Sequence, residues 1–186
     1  MAAKIEPLLT IEDLDACPDD GNRYELIGGE LFVSRAPGIS HQRVIQNVQK
    51  PFLTYLEQNQ IGILVPGAGA VFSNYDAVIP DLVFVRNERW PEIVTGEKFT
   101  GAPDIVIEVL SPGAENQRRD LSVKRQLYAK YGVTEYWVID PENRSVDIYR
   151  LRGLTLEKTA TLMDDEEITS PILPGFQLKV AAIFIS

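Results

Sequence analysis

The sequence predicts a single mixed α/β (α+β) domain, and three observations carry that expectation. Short apolar runs bounded by turn residues recur along the 186 residues, which is the pattern of strands. Two longer stretches place apolar residues at helical spacing, as amphipathic helices do. One of those helices separates the runs DIVIEVL and EYWVID, so these two strands are expected to lie parallel in a sheet, joined by a crossover.

Residues 8–17 (LLTIEDLDAC) predict a short helix capped by Thr10, with Asp13 three residues later forming a capping box. RYELI-GG-ELFVS over 23–34 predicts a β-hairpin, because Gly28 and Gly29 supply the positive φ angles of a tight primed turn. Residues 41–58 carry Val44, Val48, Phe52, Tyr55 and Leu56 on one face, an amphipathic helix opening after Ser40 and expected to kink at Pro51. Strands are expected at 63–65, 70–72, 81–85 and 104–110, a second helix over 116–131, and a strand at Glu135–Asp140. Pro141–Arg144 is a turn signal, SVDIYRL, TLEKTATL and FQLKVAAIF read as further strands, and the acidic run at 164–167 reads as a solvated loop. The domain 1–186 thus has a core of about 41–140, an N-terminal helix and hairpin over 8–34, and a C-terminal β extension over 145–185.

Composition excludes several classes. With 45% apolar and 24% charged residues, the chain is neither a disordered tail nor a coiled coil. A single cysteine, Cys17, excludes intrachain disulfides and Cys-based zinc clusters, and it suits a reducing compartment. His41 is the sole histidine, which excludes poly-His metal sites. No apolar run approaches the ~18–20 residues of a membrane span, and the N-terminus is too acidic for a signal peptide, so a soluble, cytoplasmic protein with no membrane partner is expected. The net charge of −9 argues at first against a nucleic-acid partner. Its distribution softens that argument: residues 1–30 hold 8 acids against 2 bases and residues 132–186 hold 9 against 5, while the middle is nearly neutral. Val109–Tyr131 is locally basic through Arg118, Arg119, Lys124, Arg125 and Lys130.

The chemically informative residues are ionisable groups inside apolar elements. Glu108 interrupts IVIEVL, where a carboxylate is either paired with an arginine, turned to water at an edge, or functional. Asp81 opens DLVFV after Pro80 and Asp104 follows Pro103. Asp104 and Glu108 are four apart on one strand, roughly 13 Å at ~3.3 Å per residue, too far to share an ion. Asp81 and Glu108 come from different strands, and adjacent strands are only ~4.8 Å apart, so this pair is chosen and Asp104 is expected to be structural, at its strand's entrance. Lys124 falls within the apolar stripe of Leu121, Leu127, Tyr128 and Tyr131. There it either pairs with Asp120 or snorkels, or it turns toward Asp81 and Glu108. Two carboxylates and a lysine on such a core describe a metal-dependent phosphodiesterase, with hard oxygen ligands for Mg²⁺ and a lysine to orient or deprotonate the nucleophile.

At these residues the chain resembles the PD-(D/E)XK nuclease superfamily, and more closely a bacterial restriction-endonuclease-like family formerly known as a domain of unknown function. The resemblance runs in order through Tyr24–Ile27, His41–Arg43, Pro80-Asp81, Ala102–Asp104, Glu108–Pro112, Arg119-Asp120 with Lys124, Tyr128, Glu135–Trp137 and Asp140-Pro141. It implies a restriction-endonuclease-like core, a mixed β-sheet flanked by helices with additional antiparallel strands at both termini. It also implies Asp81 and Glu108 as ligands of Mg²⁺ (Mn²⁺ as an alternative). The superfamily's usual lysine position, two residues after the second acid, is here Leu110; the resemblance implies a lysine moved to the following helix, and Lys124 is the one that the sequence offers there. Glu25 and His41 match the family pattern; Glu25 is either a hairpin surface residue or part of the site, and His41 either a surface residue or a phosphate contact at a helix N-terminus.

The expected function is a metal-dependent DNA endonuclease, with Asp81, Glu108 and Lys124 catalytic, DNA as substrate and a homodimer as one assembly. Its rival is a catalytically inactive, nuclease-fold interaction module, motivated by the charge of −9 and by Leu110 in the usual lysine position. A glycosidase-like carboxylate pair is disfavoured, because no aromatic sugar platform is evident and Lys124 has no role in it. Lys124→Met is expected to remain folded, and even to gain stability. One test follows from charge alone: DNA binding measured by anisotropy is expected to be weak and to fall steeply between low and high salt, because each phosphate contact releases counterions.

Overall fold

The structure, a computed structural model, describes residues 7–111 and 119–185. In chain order the elements are α1 (Ile11–Asp15), β1 (Asn22–Ile27), β2 (Glu30–Arg35), α2 (Ile39–Asn59), β3 (Gly62–Pro66), β4 (Ala70–Ser73), β5 (Asp76–Val78), β6 (Leu82–Arg86) and α3 (Trp90–Ile93). There follow β7 (Val94–Thr95), β8 (Lys98–Phe99), β9 (Ile105–Val109), a π-helical turn (Arg119–Lys124), α4 (Arg125–Tyr131), β10 (Glu135–Asp140), β11 (Ser145–Arg152), β12 (Thr155–Met163), β13 (Glu167–Ser170), β14 (Leu173–Lys179) and α5 (Val180–Ile183).

Two six-stranded mixed sheets dominate. The first has the order β12-β11-β10-β9-β6-β3, the second β2-β1-β5-β4-β8-β7, and β13 and β14 form a separate hairpin. In the first sheet β9 and β10 are parallel and the other pairs antiparallel. The parallel pair follows from the connection: the π-helical turn and α4 carry the chain from β9 back to the start of β10. Central strands are buried on both faces, which is why they read as near-continuous apolar runs. On one face Leu82, Phe84, Ile105, Ile107, Trp137 and Ile139 pack against Val44, Val48, Phe52 and Leu56 of α2. On the other, Val83, Val85, Val106, Leu110 and Val138 meet Leu127 and Tyr128 of α4 and Ala70 and Val78 of the second sheet. The space between the two sheets is therefore a second core, and the candidate site opens in it.

Local signals explain the hairpin and the first helix. Gly28 and Gly29 adopt φ of 60° and 78° between β1 and β2, a left-handed turn that favours glycine. At Gly29 a side chain would also meet the Cβ of Leu8 at 2.7 Å. The Asp13 carboxylate accepts hydrogen bonds from the backbone N–H of Thr10 at 2.8 Å and from its hydroxyl at 3.0 Å, closing the expected capping box at α1.

Five expectations need correction. α2 opens at Ile39, ahead of the expected boundary after Ser40, and runs to Asn59 with Pro51 inside it, flanked by buried Val48 and Phe52. The second helix opens as a π-helical turn and becomes α-helical only from Arg125; residues 116–118 of the predicted helix lie outside the described residues. FQLKVAAIF changes type midway: Phe176 and Leu178 alternate into the core from β14, then Val180 and Ile183 bury at helical spacing in α5. Helix α5 packs on α2 and β14, and that docking decides its conformation. The acidic run is a turn only as far as Glu166, since Glu167 opens β13. The hairpin β1–β2 is no peripheral addition either, because Leu26 pairs with Ala77 and makes it part of the second sheet.

A buried aspartate fastens the second sheet to α4. Asp76 accepts hydrogen bonds from the Gly28 N–H at 2.7 Å, the Ser73 hydroxyl at 3.1 Å, Lys130 Nζ at 2.8 Å and the Tyr131 hydroxyl at 2.6 Å. Burial favours its neutral form, but these donors outweigh that and hold its carboxyl below the ordinary 3.8. A lowered pKa places the stabilisation above the unfolded value and removes it as pH falls through the folded one. Asp76→Asn is therefore expected to cost about 1–3 kcal/mol near pH 7, with the gap from wild type closing as the pH falls below about 4; thermal melting across pH 3–8 measures it.

Candidate functional site

Strand register brings the two chosen carboxylates together. Leu82 pairs with Ile107 and Val83 with Val106 across β6 and β9, so the same register continued one step places Asp81 opposite Glu108. Directly opposed residues of an antiparallel pair share a face. That face is the one carrying Val83, Val85 and Val106, turned toward α4 and the second sheet. Both acids are buried and line one small cavity, about 30 Å³, together with Arg23, Glu25, His41 and Lys124.

Lys124 is the centre of this cluster. It is only 2% exposed, and its Nζ lies 2.9 Å from Glu108 Oε1 and 2.9 Å from Glu25 Oε1. The Glu25 oxygen also accepts the Ile79 N–H at 2.8 Å, while the Tyr128 hydroxyl donates to Glu108 Oε1 at 2.7 Å. Its described salt bridges therefore reach Glu108 and Glu25, a different pair from the expected Asp81 and Glu108. The alternative partner Asp120 lies outside the described side chains. Glu25 is a buried member of the site, not a hairpin surface residue, because its strand lies in the second sheet and its odd-numbered face looks across the core.

Asp81 is held from three sides. Its Oδ2 accepts the Val109 N–H at 2.9 Å and lies 3.3 Å from His41 Nε2, and its Oδ1 lies 3.3 Å from Arg23 Nη1. Burial alone would raise its pKa, but the histidine, the Val109 N–H and the charge of Lys124 bring the net shift downward. His41 shifts upward: burial opposes the charged form, and the Asp81 contact and the Val109 carbonyl overcome it. Nε2 also lies 3.0 Å from the Val109 carbonyl, and two acceptors around that atom assign it the proton. His41 thus faces inward from the first turn of α2 and orients Asp81, where the sequence had suggested a surface position or a phosphate contact.

Asp104 is placed elsewhere. Just ahead of β9, it accepts the Arg86 N–H at 2.9 Å and pairs with Arg86 Nε at 2.9 Å and Arg89 Nη1 at 3.0 Å. Arg23 was missed as a site residue, although its place two residues before Glu25 on one strand puts both on the same face. Tyr128 was read only as a core residue. Its hydroxyl needs a partner when buried, and that requirement was the available signal.

The donor chemistry fits a hard cation. Two carboxylates from adjacent strands, beside the Val109 carbonyl, suit Mg²⁺, which takes few protein oxygens and keeps several waters. Among the described residues there is no group of three or more His, Cys, Asp or Glu placed to hold a metal ion.

A mixed-sheet core with buried carboxylates and a lysine in one cleft fits the nuclease-fold class of protein that the resemblance implied. Within it, the sequence matches the Uma2 family, described as "Putative restriction endonuclease", over residues 11–181, and the chain belongs to that family. Among solved structures it is similar to one titled as a "putative nuclease belonging to DUF820" from Anabaena variabilis, with a TM-score of 0.79 and 20% identity over 95% of this chain and 97% of that one. At that identity the likeness is one of fold. The curated proteins hold no significant match. No helix among the described residues is long and apolar enough to cross a membrane.

The shared ammonium makes a stability test possible. Lys124→Met leaves Glu25 and Glu108 buried without the charge between them, so the gain in stability expected from sequence is reversed. A loss of about 3–5 kcal/mol is expected, the cost of breaking a buried pair from one side. Adding Glu25→Gln to Lys124→Met removes one of the two negative charges and is expected to restore a large part of that loss in denaturant melts.

Proposed function

We propose that this chain is a metal-dependent endonuclease that hydrolyses phosphodiester bonds in DNA, using Mg²⁺, with Mn²⁺ as an alternative. The observation that carries this reading is the register pairing of Asp81 with Glu108, with Lys124 bonded to Glu108 in the same cavity. Asp81 and Glu108 would hold the ion, which when bound supplies a more acidic water and neutralises charge on the phosphate. The chain's own groups do the rest. The Val109 N–H and His41 fix the rotamer of Asp81, and the Tyr128 hydroxyl and Lys124 fix that of Glu108. Lys124 Nζ holds a proton beside Glu108, where it can orient the attacking water. Cutting both strands of a duplex would suit a two-fold dimer, since the two backbones run in opposite directions.

A second reading, a nuclease-fold module without catalysis, is favoured by the occupied state of Asp81. Its two oxygens already face Arg23, His41 and the Val109 N–H, and the chain carries a net −9. Calorimetric titration with Mn²⁺ separates the readings, since the module has no need of the ion. For the nuclease, plasmid cleavage with Mg²⁺ is expected to vanish in Asp81→Asn and Glu108→Gln and to fall by on the order of 10²–10⁴ in Lys124→Met. Asp104→Asn, remote from the cavity, is expected to keep both cleavage and metal binding. Full cleavage by a folded Lys124→Met protein would remove the lysine from the mechanism.

A further inference from the structure

The cavity is too small for its proposed substrate as it stands. About 30 Å³ is room for roughly two waters, less than a phosphodiester with its ion requires. Its floor is buried: Glu25, Asp81, Glu108 and Lys124 are all nearly inaccessible. The remaining lining includes Arg23, Ser34, Arg35 and Ser111, which are partly or fully exposed and so form the rim. Among the described charged groups in contact with the acids, Arg23 is the one with substantial exposure, its side chain 29% accessible. Its long stem can swing without opening a void in the core.

The two oxygens of Asp81 are held differently. Oδ2 is anchored by a backbone N–H at 2.9 Å, which cannot leave without breaking β9. Oδ1 faces the Arg23 guanidinium at 3.3 Å, a long contact for a charged pair. Oδ1 is therefore the oxygen that a metal would take, and Arg23 stands in the way. A guanidinium displaced there has a second natural acceptor in the oxygens of a phosphate. Arg35 and the Ser34 and Ser111 hydroxyls lie around the same opening, and Arg23 and Ser34 are directly paired across β1 and β2.

We propose that Arg23 is a displaceable counter-ion, which neutralises Asp81 Oδ1 until a divalent cation takes that oxygen and then binds a non-bridging oxygen of the DNA phosphate at the rim beside Arg35. The inference rests on the endonuclease reading and deepens it. It has a thermodynamic consequence: metal frees Arg23 for DNA, and DNA removes a competitor of the metal, so each strengthens the other by the same factor. A merely structural arginine adds nothing to the coupling that the ion's own contact with the phosphate produces.

The experiment measures binding, apart from cleavage. Mn²⁺ is titrated calorimetrically into the DNA-free protein, and a labelled duplex is followed by anisotropy with and without Ca²⁺, with gels confirming that the duplex stays intact. In wild type, Ca²⁺ is expected to tighten DNA binding about fivefold or more. Arg23→Gln is expected to bind Mn²⁺ about twofold to fivefold more tightly, the scale of a partly exposed ion pair, while binding DNA more weakly and showing a smaller Ca²⁺ effect than wild type. Arg152→Gln, an exposed charge outside the cavity lining, is expected to change neither. Arg23→Lys keeps the charge on a shorter, unforked group and provides the reading if Arg23→Gln melts early; it is expected to retain DNA binding better than Arg23→Gln. Unchanged or weaker Mn²⁺ affinity in Arg23→Gln, in a protein whose wild type binds Mn²⁺ and cuts plasmid, overturns the role of Arg23 and leaves the nuclease reading standing. A wild type that neither binds Mn²⁺ nor cuts overturns both.

Discussion

A buried ammonium cannot stand without carboxylates around it, and in this protein that requirement organises everything near the cleft. Lys124 is carried at the end of a π-helical turn, Glu108 on β9 of the first sheet and Glu25 on β1 of the second. One charge therefore fastens a helix and two sheets at a single point. The fastening extends along the chain, because Glu25 also takes the N–H of Ile79, two residues before Asp81. The Pro80-Asp81 turn is thereby set against the end of β9, where Val109 receives the Asp81 carboxylate.

The other buried acids show how a structural carboxylate differs from this cluster. Asp104 is met by Arg86 and Arg89, Glu135 by Arg150 and the Trp137 indole N–H, and Asp76 by Lys130 and Tyr131. In each case the cation is partly exposed and reaches inward from the surface, so water still stabilises it. Lys124 has no such relief, and among the described residues it serves two carboxylates with one Nζ atom. Placing all three charges in a water-poor cleft is expensive for folding. It is also the condition under which a positioned proton and a held cation act most strongly on a phosphate.

Much of the architecture was legible because its signals are local. The Gly28-Gly29 turn, the Thr10–Asp13 capping box and the alternation of the central strands each act within a few residues. The parallel pairing of β9 with β10 was legible too, since a helix between two apolar strands leaves few other topologies. The failures share a cause. The tail at 180–183 became helical because docking on α2 outweighed a strand-like pattern, and the short strands β5, β7 and β8 owe their existence to neighbours in the second sheet. The π-helical geometry before Arg125 had no local signature that a helical wheel would detect, although the wheel still turned Lys124 inward.

The candidate site divides in the same way. By itself the sequence determined which side chains were out of place in apolar elements, namely Glu108 in its strand and Lys124 in its stripe, and strand spacing alone separated Asp81 from Asp104 as a partner for Glu108. Which charge meets which was decided only by tertiary structure. Lys124 joins Glu25 and Glu108, while Asp81 goes to Arg23 and His41. The reason is physical: burial follows from the periodicity of one segment, but the partner of a buried charge depends on sheet register and on the packing of two sheets, which bring together residues as far apart as Arg23 and Lys124 in a cavity of about 30 Å³.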